Sequence, residues 1–482
     1  MILDKLSRRH FFYGTLLAGA VPSAGFGSSP SLKMLGYKSP NEKLNIATVG
    51  AGGKARSDIA GCATENIVAL TDVDDVSAAA TYKKFDSTPK YKDFRRMFDK
   101  EAKNIDAVIV AIPDFMHATA AMWAMERGKH VYVQKPLTRT IWEARLLTEA
   151  AAKYRVATQM GNQGYSNEGT RLCAEMIWNG DIGNVTEVHA WTNRPIWPQG
   201  LTQTPAEAAV PDTFAWDTWL GIQSMRPYSP EYAPFKWRGF YDFGCGALGD
   251  MACHILGAAN LALRLGAPTS VETVMQEGKS SFMFPKKSII RFDFPARGNM
   301  PPVKIFWYDG MTAPPARPAG IPEDEHLGEL PRGALGKLAS ENRLYDSQSA
   351  NPPKEPTPQD FATDSRNGSL FVGDKGFITT GTYGVGTRLL PADKMQDYKF
   401  PPPLLTRSPG HYRDWIRACK GGDPACSNFS VAGPFTEWIL LGALSLRYEG
   451  KLEWDSARMK VTNVPEANQH IRPKVRKGWQ LG

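Results

Sequence analysis

The run Gly50-Ala51-Gly52-Gly53-Lys54-Ala55 restricts this chain more than any other feature. It follows an apolar run, Leu44 to Val49, that reads as a short strand, and it opens a helical stretch from about Ala55 to Cys62. In a G-x-G-x-x-A pattern placed between strand and helix, the small residues have separate tasks. Gly50 makes the tight turn, Gly52 (with Gly53 beside it) lets the backbone approach a pyrophosphate, and Ala55 allows close packing of helix on strand. The helix N-terminus adds positive potential for phosphates. A second strand, Ile67 to Thr71, ends in Asp72, where an acid accepts hydrogen bonds from ribose hydroxyls and disfavours a 2′-phosphate. NAD is therefore expected over NADP. Asp74 is a weaker candidate for the same task.

Strand and helix continue to alternate. Ala107 to Ile112 reads as a strand ending in Pro113-Asp114-Phe115-Met116-His117, and His130 to Val133 as a strand ending in Gln134-Lys135-Pro136-Leu137. Ligands of doubly wound sheets bind beyond the carboxyl ends of the strands, so both endings are expected to face the dinucleotide. Helix Ile141 to Tyr154 and strand Val156 to Met160 complete a Rossmann-type α/β doubly wound parallel sheet over residues 44–160. Residues 161–482 read as an α+β substrate domain with a mostly antiparallel sheet. A helix from about Glu168 to Asn179 and strands at Val185 to Thr192, Ser288 to Phe294, Val303 to Tyr308 and Leu370 to Val372 mark it, with Pro-rich insertions at Pro195 to Pro211 and Thr312 to about Pro358. Trp178, Trp191, Trp197, Trp216, Trp219 and Trp237 crowd into its first part; aromatic faces suit sugar rings, although most such tryptophans fill cores.

The first 30 residues read as an address. Ser7-Arg8-Arg9-His10-Phe11-Phe12 resembles a twin-arginine export signal, and the apolar stretch Phe11 to Val21 is too short for a transmembrane helix. Residues 31–43 are a linker, and the expected location is periplasmic or otherwise exported by that route. The net charge of +8 sits partly at the two ends, in Lys5, Arg8 and Arg9 and in the tail Arg472, Lys474, Arg476, Lys477, which argues against nucleic-acid binding. Charged residues at 22% and apolar ones at 42% exclude a disordered or polytopic membrane chain. Six cysteines contain no C-x-x-C pair; Cys419 and Cys426 bracket a tight loop that suits either a local disulfide or two free thiols.

The sharpest constellation is Gly244-Cys245-Gly246-Ala247-Leu248-Gly249-Asp250-Met251-Ala252-Cys253-His254. A helix beginning near Gly249 puts Asp250 and His254 on one face, with Asp250 as an N-cap in the blander reading. The spacing matches no common zinc finger, and no metal site is assigned.

Taken together, Gly50-x-Gly52-x-x-Ala55, Pro113-Asp114-x-x-His117, Lys135-Pro136-Leu137 and Gly246-x-x-x-Asp250-x-x-x-His254 resemble the Gfo/Idh/MocA oxidoreductase family. The resemblance implies that Lys135 orients and polarises a reacting hydroxyl, Asp250 helps to position substrate, and His254 accepts the proton while hydride passes to tightly bound NAD. It places Gly50, Gly52, Gly53, Ala55, Asp72, Pro113, His117, Gln134, Lys135 and Pro136 around the cofactor, and Asn162, Gln163, Trp237 and Arg238 at a carbohydrate substrate. The family usually has Glu where this chain has Gln134, which suggests a Lys135 left without its counter-charge and with a lowered pKa. Many members carry an acid at the position of Gly257, so one substrate contact is in doubt. The expected activity is oxidation of a sugar or glycoside hydroxyl, with C3 as the candidate position. Alternatives are a redox-neutral NAD-dependent glycosidase on the same site and a non-catalytic sugar-binding protein. Export would require the cofactor to be retained and regenerated in place. A homo-oligomer is expected from the family's use of its antiparallel sheet.

Overall fold

The computed structural model describes residues 41–311, 314–315, 317–330 and 365–480. The segment expected to be an export signal, most of the expected linker and most of the second Pro-rich insertion lie outside the described residues. Among the described residues no helix is long and apolar enough to cross a membrane.

The first sheet has six parallel strands in the order β3-β2-β1-β4-β5-β6. They are β1 (Asn45–Val49), β2 (Asn66–Thr71), β3 (Lys90–Tyr91), β4 (Ala107–Val110), β5 (His130–Val133) and β6 (Thr158–Met160). The connecting helices are α1 (Gly53–Gly61), α2 (Asp75–Lys84), α3 (Phe94–Glu101), α4 (His117–Met125) and α5 (Ile141–Tyr154). The strand order reverses between β1 and β4, so the carboxyl ends of these two neighbours frame a crevice. All four residues of β4 are buried, as a strand covered on both faces requires.

After α6 (Glu168–Asn179) the second sheet begins with β7 (Val185–Thr192). The short α7 (Trp216–Leu220), α8 (Gly246–Ile255) and α9 (Gly257–Ala262) precede β8 (Ser270–Glu277), β9 (Lys287–Phe294) and β10 (Val303–Asp309). The sheet is completed by β11 (Asn367–Gly373), β12 (Phe377–Thr380), β13 (Arg388–Leu390), β14 (Lys451–Asp455) and β15 (Lys460–Val461). Its order is β13-β12-β11-β7-β10-β9-β8-β14-β15, antiparallel except where β10 runs parallel to β7. In β9 buried residues alternate with partly exposed ones, the pattern of a sheet with one face on the core.

The sequence reading assigned everything after residue 160 to a second domain, but the chain returns to the first sheet. On α10 (His411–Cys419), Trp415, Ile416 and Cys419 join the cluster of Leu44, Ile46 and Tyr132. The 17-residue α11 (Phe429–Ser445) packs against α5 so closely that a Cβ on Gly433 would sit 1.8 Å from Thr148 Oγ1. Arg145 on α5 forms a two-pronged pair with Glu437 on α11, both contacts at 2.6 Å. A Cβ on Gly442, further along α11, would meet Phe292 of the second sheet at 2.5 Å and Leu248 of α8 at 2.8 Å. One apolar helix thus fixes the two sheets against each other, and with them the opposing walls of the cleft. All six cysteines are free thiols, so Cys419 and Cys426 are not bonded.

Candidate active site

A cavity of about 730 Å³ extends from the glycine turn to α8. At its outer end Gly50 has φ +99°, and a Cβ there would lie 2.2 Å from Ala111 O, so glycine is required twice over. Gly52 also lines the cavity and carries a second constraint, since a Cβ there would meet Ser77 Oγ of α2 at 2.0 Å. Gly53, with φ +48° and open space around its Cβ position, lines the cavity. Helix α1 starts with no side-chain cap and no acid in its first turn, which leaves its amide end available to an anion. Ala55 is buried beneath, in the packing role expected of it.

Asp72 lines the cavity, and its carboxylate also closes the glycine turn. Oδ2 accepts from Ala51 N (2.8 Å) and Gly52 N (2.9 Å), and Oδ1 from Asp74 N (2.9 Å). Burial pushes its pKa up against these amide hydrogen bonds. Two carboxylate oxygens offer about four acceptor positions, so capacity for a ribose hydroxyl remains. Asp74 instead caps α2, accepting from Val76 N and Ser77 N.

At the inner end, α8 begins at Gly246, three residues earlier than expected. Asp250 therefore lies inside the helix and is not its N-cap, while His254 remains one turn further on the same face. Lys135, at the end of β5, donates from Nζ to Asp250 Oδ1 (2.6 Å) and Asp250 O (2.9 Å). Arg238 Nε lies 3.6 Å from the same Oδ1. Burial would raise the Asp250 carboxyl, but Lys135 and Arg238 outweigh it and hold the pKa below the usual range. The expectation that Gln134 leaves Lys135 without a counter-charge is thus corrected. Gln134 Nε2 donates to Asp58 Oδ2 (2.8 Å), a buried acid that also accepts from Lys54 and Tyr412. A Glu at 134 would set two carboxylates against each other, which explains the amide.

His254 is buried, and its Nδ1 has no hydrogen-bond partner among the described residues. Burial first, then the positive charge of Lys135, hold its pKa well below the ordinary value, so the imidazole is neutral near pH 7. Such a ring can accept a proton. Tyr383, from the loop after β12, meets it edge-on with centroids 4.8 Å apart.

The other predicted residues divide. Pro113, Gln134, Gln163, Trp237 and Arg238 line the cavity. With its amide turned to satisfy both neighbours, Gln163 donates to Gly161 O (3.0 Å) and accepts from Lys54 Nζ (3.3 Å). Arg238 stacks on Trp237 at 4.3 Å and on Phe235 at 4.8 Å. His117, Pro136 and Asn162 stand behind the wall. The His117 ring nitrogens lie 2.8 Å from Pro136 O and 2.7 Å from Ile112 O, between the ends of β4 and β5; burial drives its pKa down to about 4, so the neutral ring donates its one N–H to one of the two carbonyls. Asn162 links Ser427 Oγ to the backbone of Cys253. At Gly257 a Cβ would touch the Tyr165 ring at 3.3 Å, so the packing of that ring favours the missing side chain. Of the clustered tryptophans, Trp191, Trp197 and Trp216 are buried away from the cavity, and Trp219 and Trp237 are buried with an edge on it.

Sequence reasoning missed Asp114, Arg194, Phe235 and Tyr383, all on the cavity wall. Asp114 lay inside a quoted motif, but its burial could not be read there. Burial raises its carboxyl to about 7, opposed by Arg238 and Lys135. Nothing local marks Tyr383.

Comparison with known proteins agrees with this arrangement. Residues 44–162 match the Gfo/Idh/MocA model described as an oxidoreductase family with an NAD-binding Rossmann fold, and residues 181–279 match the family's C-terminal alpha/beta domain. The chain is 28% identical over 211 residues to a glycosyl hydrolase family 109 protein of Solibacter usitatus, covering 40% of this chain and 47% of that protein. It is 28% identical over 147 residues to glucose-6-phosphate 3-dehydrogenase of Bacillus subtilis, covering 30% of this chain and 40% of that protein. The chain thus spans about half or less of the curated relatives it matches. A solved WlbA dehydrogenase from Bordetella pertussis, in complex with NADH and UDP-GlcNAcA, shares the fold with a TM-score of 0.56 at 15% identity, covering 86% of this chain and 99% of that one. Over residues 44–162 and 181–279, from the glycine turn through the helix of Asp250 and His254, the chain is similar to the Gfo/Idh/MocA oxidoreductase family.

Proposed function

We propose that this protein is an NAD-dependent oxidoreductase acting on a hydroxyl of a sugar or glycoside. The observation that carries the reading is the inner end of the cavity. A Lys135–Asp250 ion pair and a neutral His254 converge there, opposite an uncapped helix N-terminus flanked by glycines and Asp72. The tight glycine turn, with open space at Gly53, and the uncapped amides fit a pyrophosphate, while Asp72 fits the adjoining ribose. When bound there, NAD supplies a hydride acceptor.

The chain's own residues supply the rest. Lys135, held by two contacts to Asp250, presents its ammonium to the substrate oxygen, orienting it and favouring loss of its proton. His254, a neutral imidazole on the cavity wall, accepts that proton. Asp250 fixes Lys135 and balances its charge, and the stacked Arg238 limits where the ring can lie. Trp219, Phe235 and Trp237 give the wall an apolar lining against which a pyranose can pack.

The similarity to a glycosyl hydrolase family 109 protein favours a second reading, a redox-neutral glycosidase using the same site. Purified, undialysed protein should carry a nicotinamide nucleotide by mass spectrometry. Reduced-nicotinamide absorbance that persists after adding glycosides and free sugars would establish the oxidoreductase. Release of the aglycone without lasting reduction would transfer the assignment to the glycosidase. Absence of nucleotide, and no binding of added NAD, would overturn both. Export by the twin-arginine route, inferred from Ser7 to Phe12, agrees with a cofactor retained from the cytoplasm; secretion of a reporter fused to residues 1–30, abolished by Arg8→Lys/Arg9→Lys, tests it.

A further inference from the structure

A second pocket, of about 210 Å³, lies behind the catalytic loop. Four cations from three distant stretches meet there: Arg139 just before α5, Arg447 just after α11, and Arg472 and Lys474 of the basic C-terminal tail. Only one carboxylate lines it, Asp242, which is already paired with Arg226 at 2.7 Å. None of the four cations forms an ion pair among the described residues. Arg139 spends one nitrogen on Tyr241 O (3.2 Å), and its Nε is buried without a hydrogen-bond partner. Arg447 lies over the Tyr241 ring at 3.7 Å, and Arg472 over the Trp142 ring at 4.2 Å. Stacking of this kind leaves the guanidinium edges free for a planar or tetrahedral oxyanion.

The electrostatics agree with a missing partner. Burial lowers the pKa of Arg447 and Arg139 adds repulsion, against the opposing pull of Tyr241 and Asp242. His470, also on the wall, is driven down to about 4 by burial and then by Arg447, Lys474 and Arg139. Gathering like charges around a concave space costs free energy unless an anion compensates.

We propose that this pocket is an oxyanion-binding site, distinct from the dinucleotide cavity, that takes a phosphate group and clamps the basic C-terminal tail to the start of α5. Lys135 and Arg139 belong to one short connection between β5 and α5, so the clamp also braces the loop that carries the catalytic lysine.

The test uses the full chain with saturating NAD, so that phosphate cannot report on the glycine turn. Calorimetry and thermal unfolding are followed with inorganic phosphate and with glycerol phosphate, against chloride at matched ionic strength. Saturable binding and a raised unfolding midpoint are expected. Arg447→Gln should weaken phosphate affinity about tenfold or more, and the exposed Lys474→Gln a few-fold, with NAD binding retained in both. If Arg447→Gln fails to fold, Lys474→Gln and Arg472→Gln carry the test. Tighter binding of glycerol phosphate would assign the site to a phosphomonoester, whereas tighter binding of phosphate would assign it to the free ion. No effect beyond chloride, or binding that is unchanged in the variants, would overturn the proposal.

Discussion

The two pockets use the same kinds of charge in opposite ways. In the cavity proposed as the active site, cations and carboxylates interlock: Lys135 and Arg238 share Asp250, and Asp114 lies close enough for both cations to act on it. Behind it, Arg139, Arg447, Arg472 and Lys474 face one another across a space whose single acid is engaged elsewhere. A balanced cluster holds its geometry without a ligand and can preorganise a reaction. An unbalanced one is completed by whatever neutralises it.

Removing the catalytic groups gives the largest expected effect. His254→Ala or Lys135→Met should lower turnover by roughly a hundredfold to ten-thousandfold while NAD still binds, as measured by single-turnover kinetics beside calorimetry. Unaltered rates would dissolve the catalytic half of the comparison. Next comes the stability contrast. Asp250→Asn strands Lys135 and should cost about 3–5 kcal/mol in chemical denaturation. Lys474→Gln in phosphate-free buffer relieves repulsion, so its unfolding midpoint should stay level or rise. Similar losses in both variants would show that charge balance is not what separates the pockets.

Gln134→Glu sharpens the balanced side. It should destabilise the protein by about 1–3 kcal/mol at pH 8, by confronting Asp58, and by less at acidic pH where one carboxyl is protonated. The pH dependence of turnover should remain that of the parent, because Lys135 answers to Asp250.

The smallest effect concerns Asp114. Its carboxyl, raised to about 7, contributes stability that is fully present below the unfolded pKa and lost as pH rises through about 7. Asp114→Asn should therefore become more stable than the parent above pH 7, by on the order of 1 kcal/mol. It should also abolish any inflection of kcat/KM near neutrality. His254, with its pKa held far down, should add no loss of activity as pH falls from about 8 to about 6. A protective inflection near the ordinary histidine pKa would contradict the neutral ring.

Much of the first sheet was legible because its signals are local. Glycine turn, apolar strand and terminal acid follow one another within a short span, and backbone sterics force that order into one geometry. The strand predicted at Val185 to Thr192 and the helix at Glu168 to Asn179 match β7 and α6 to the residue, for the same reason. Lys135, Asp250 and His254 were legible as motifs, and the cavity brings all three together. His117 and Asn162 were misplaced, since a motif position says that a residue matters without saying which way it faces. His117 turns inward to the backbone carbonyls of Ile112 and Pro136. The return of Trp415 to the first core had no signal at all, being more than 350 residues from Leu44 and Ile46 in a helix with its own ordinary amphipathic pattern.

By itself, then, the sequence determined the Rossmann half and the order of its motifs, because each rests on contacts within a few turns of chain. Only the tertiary structure decided which charges meet. The partner of Gln134 is Asp58 on α1, that of Lys135 is Asp250 on α8, and the basic tail closes over Arg139 and Arg447. Ion pairing depends on distance and burial after the helices pack, and neither is encoded in the spacing of the residues along the chain.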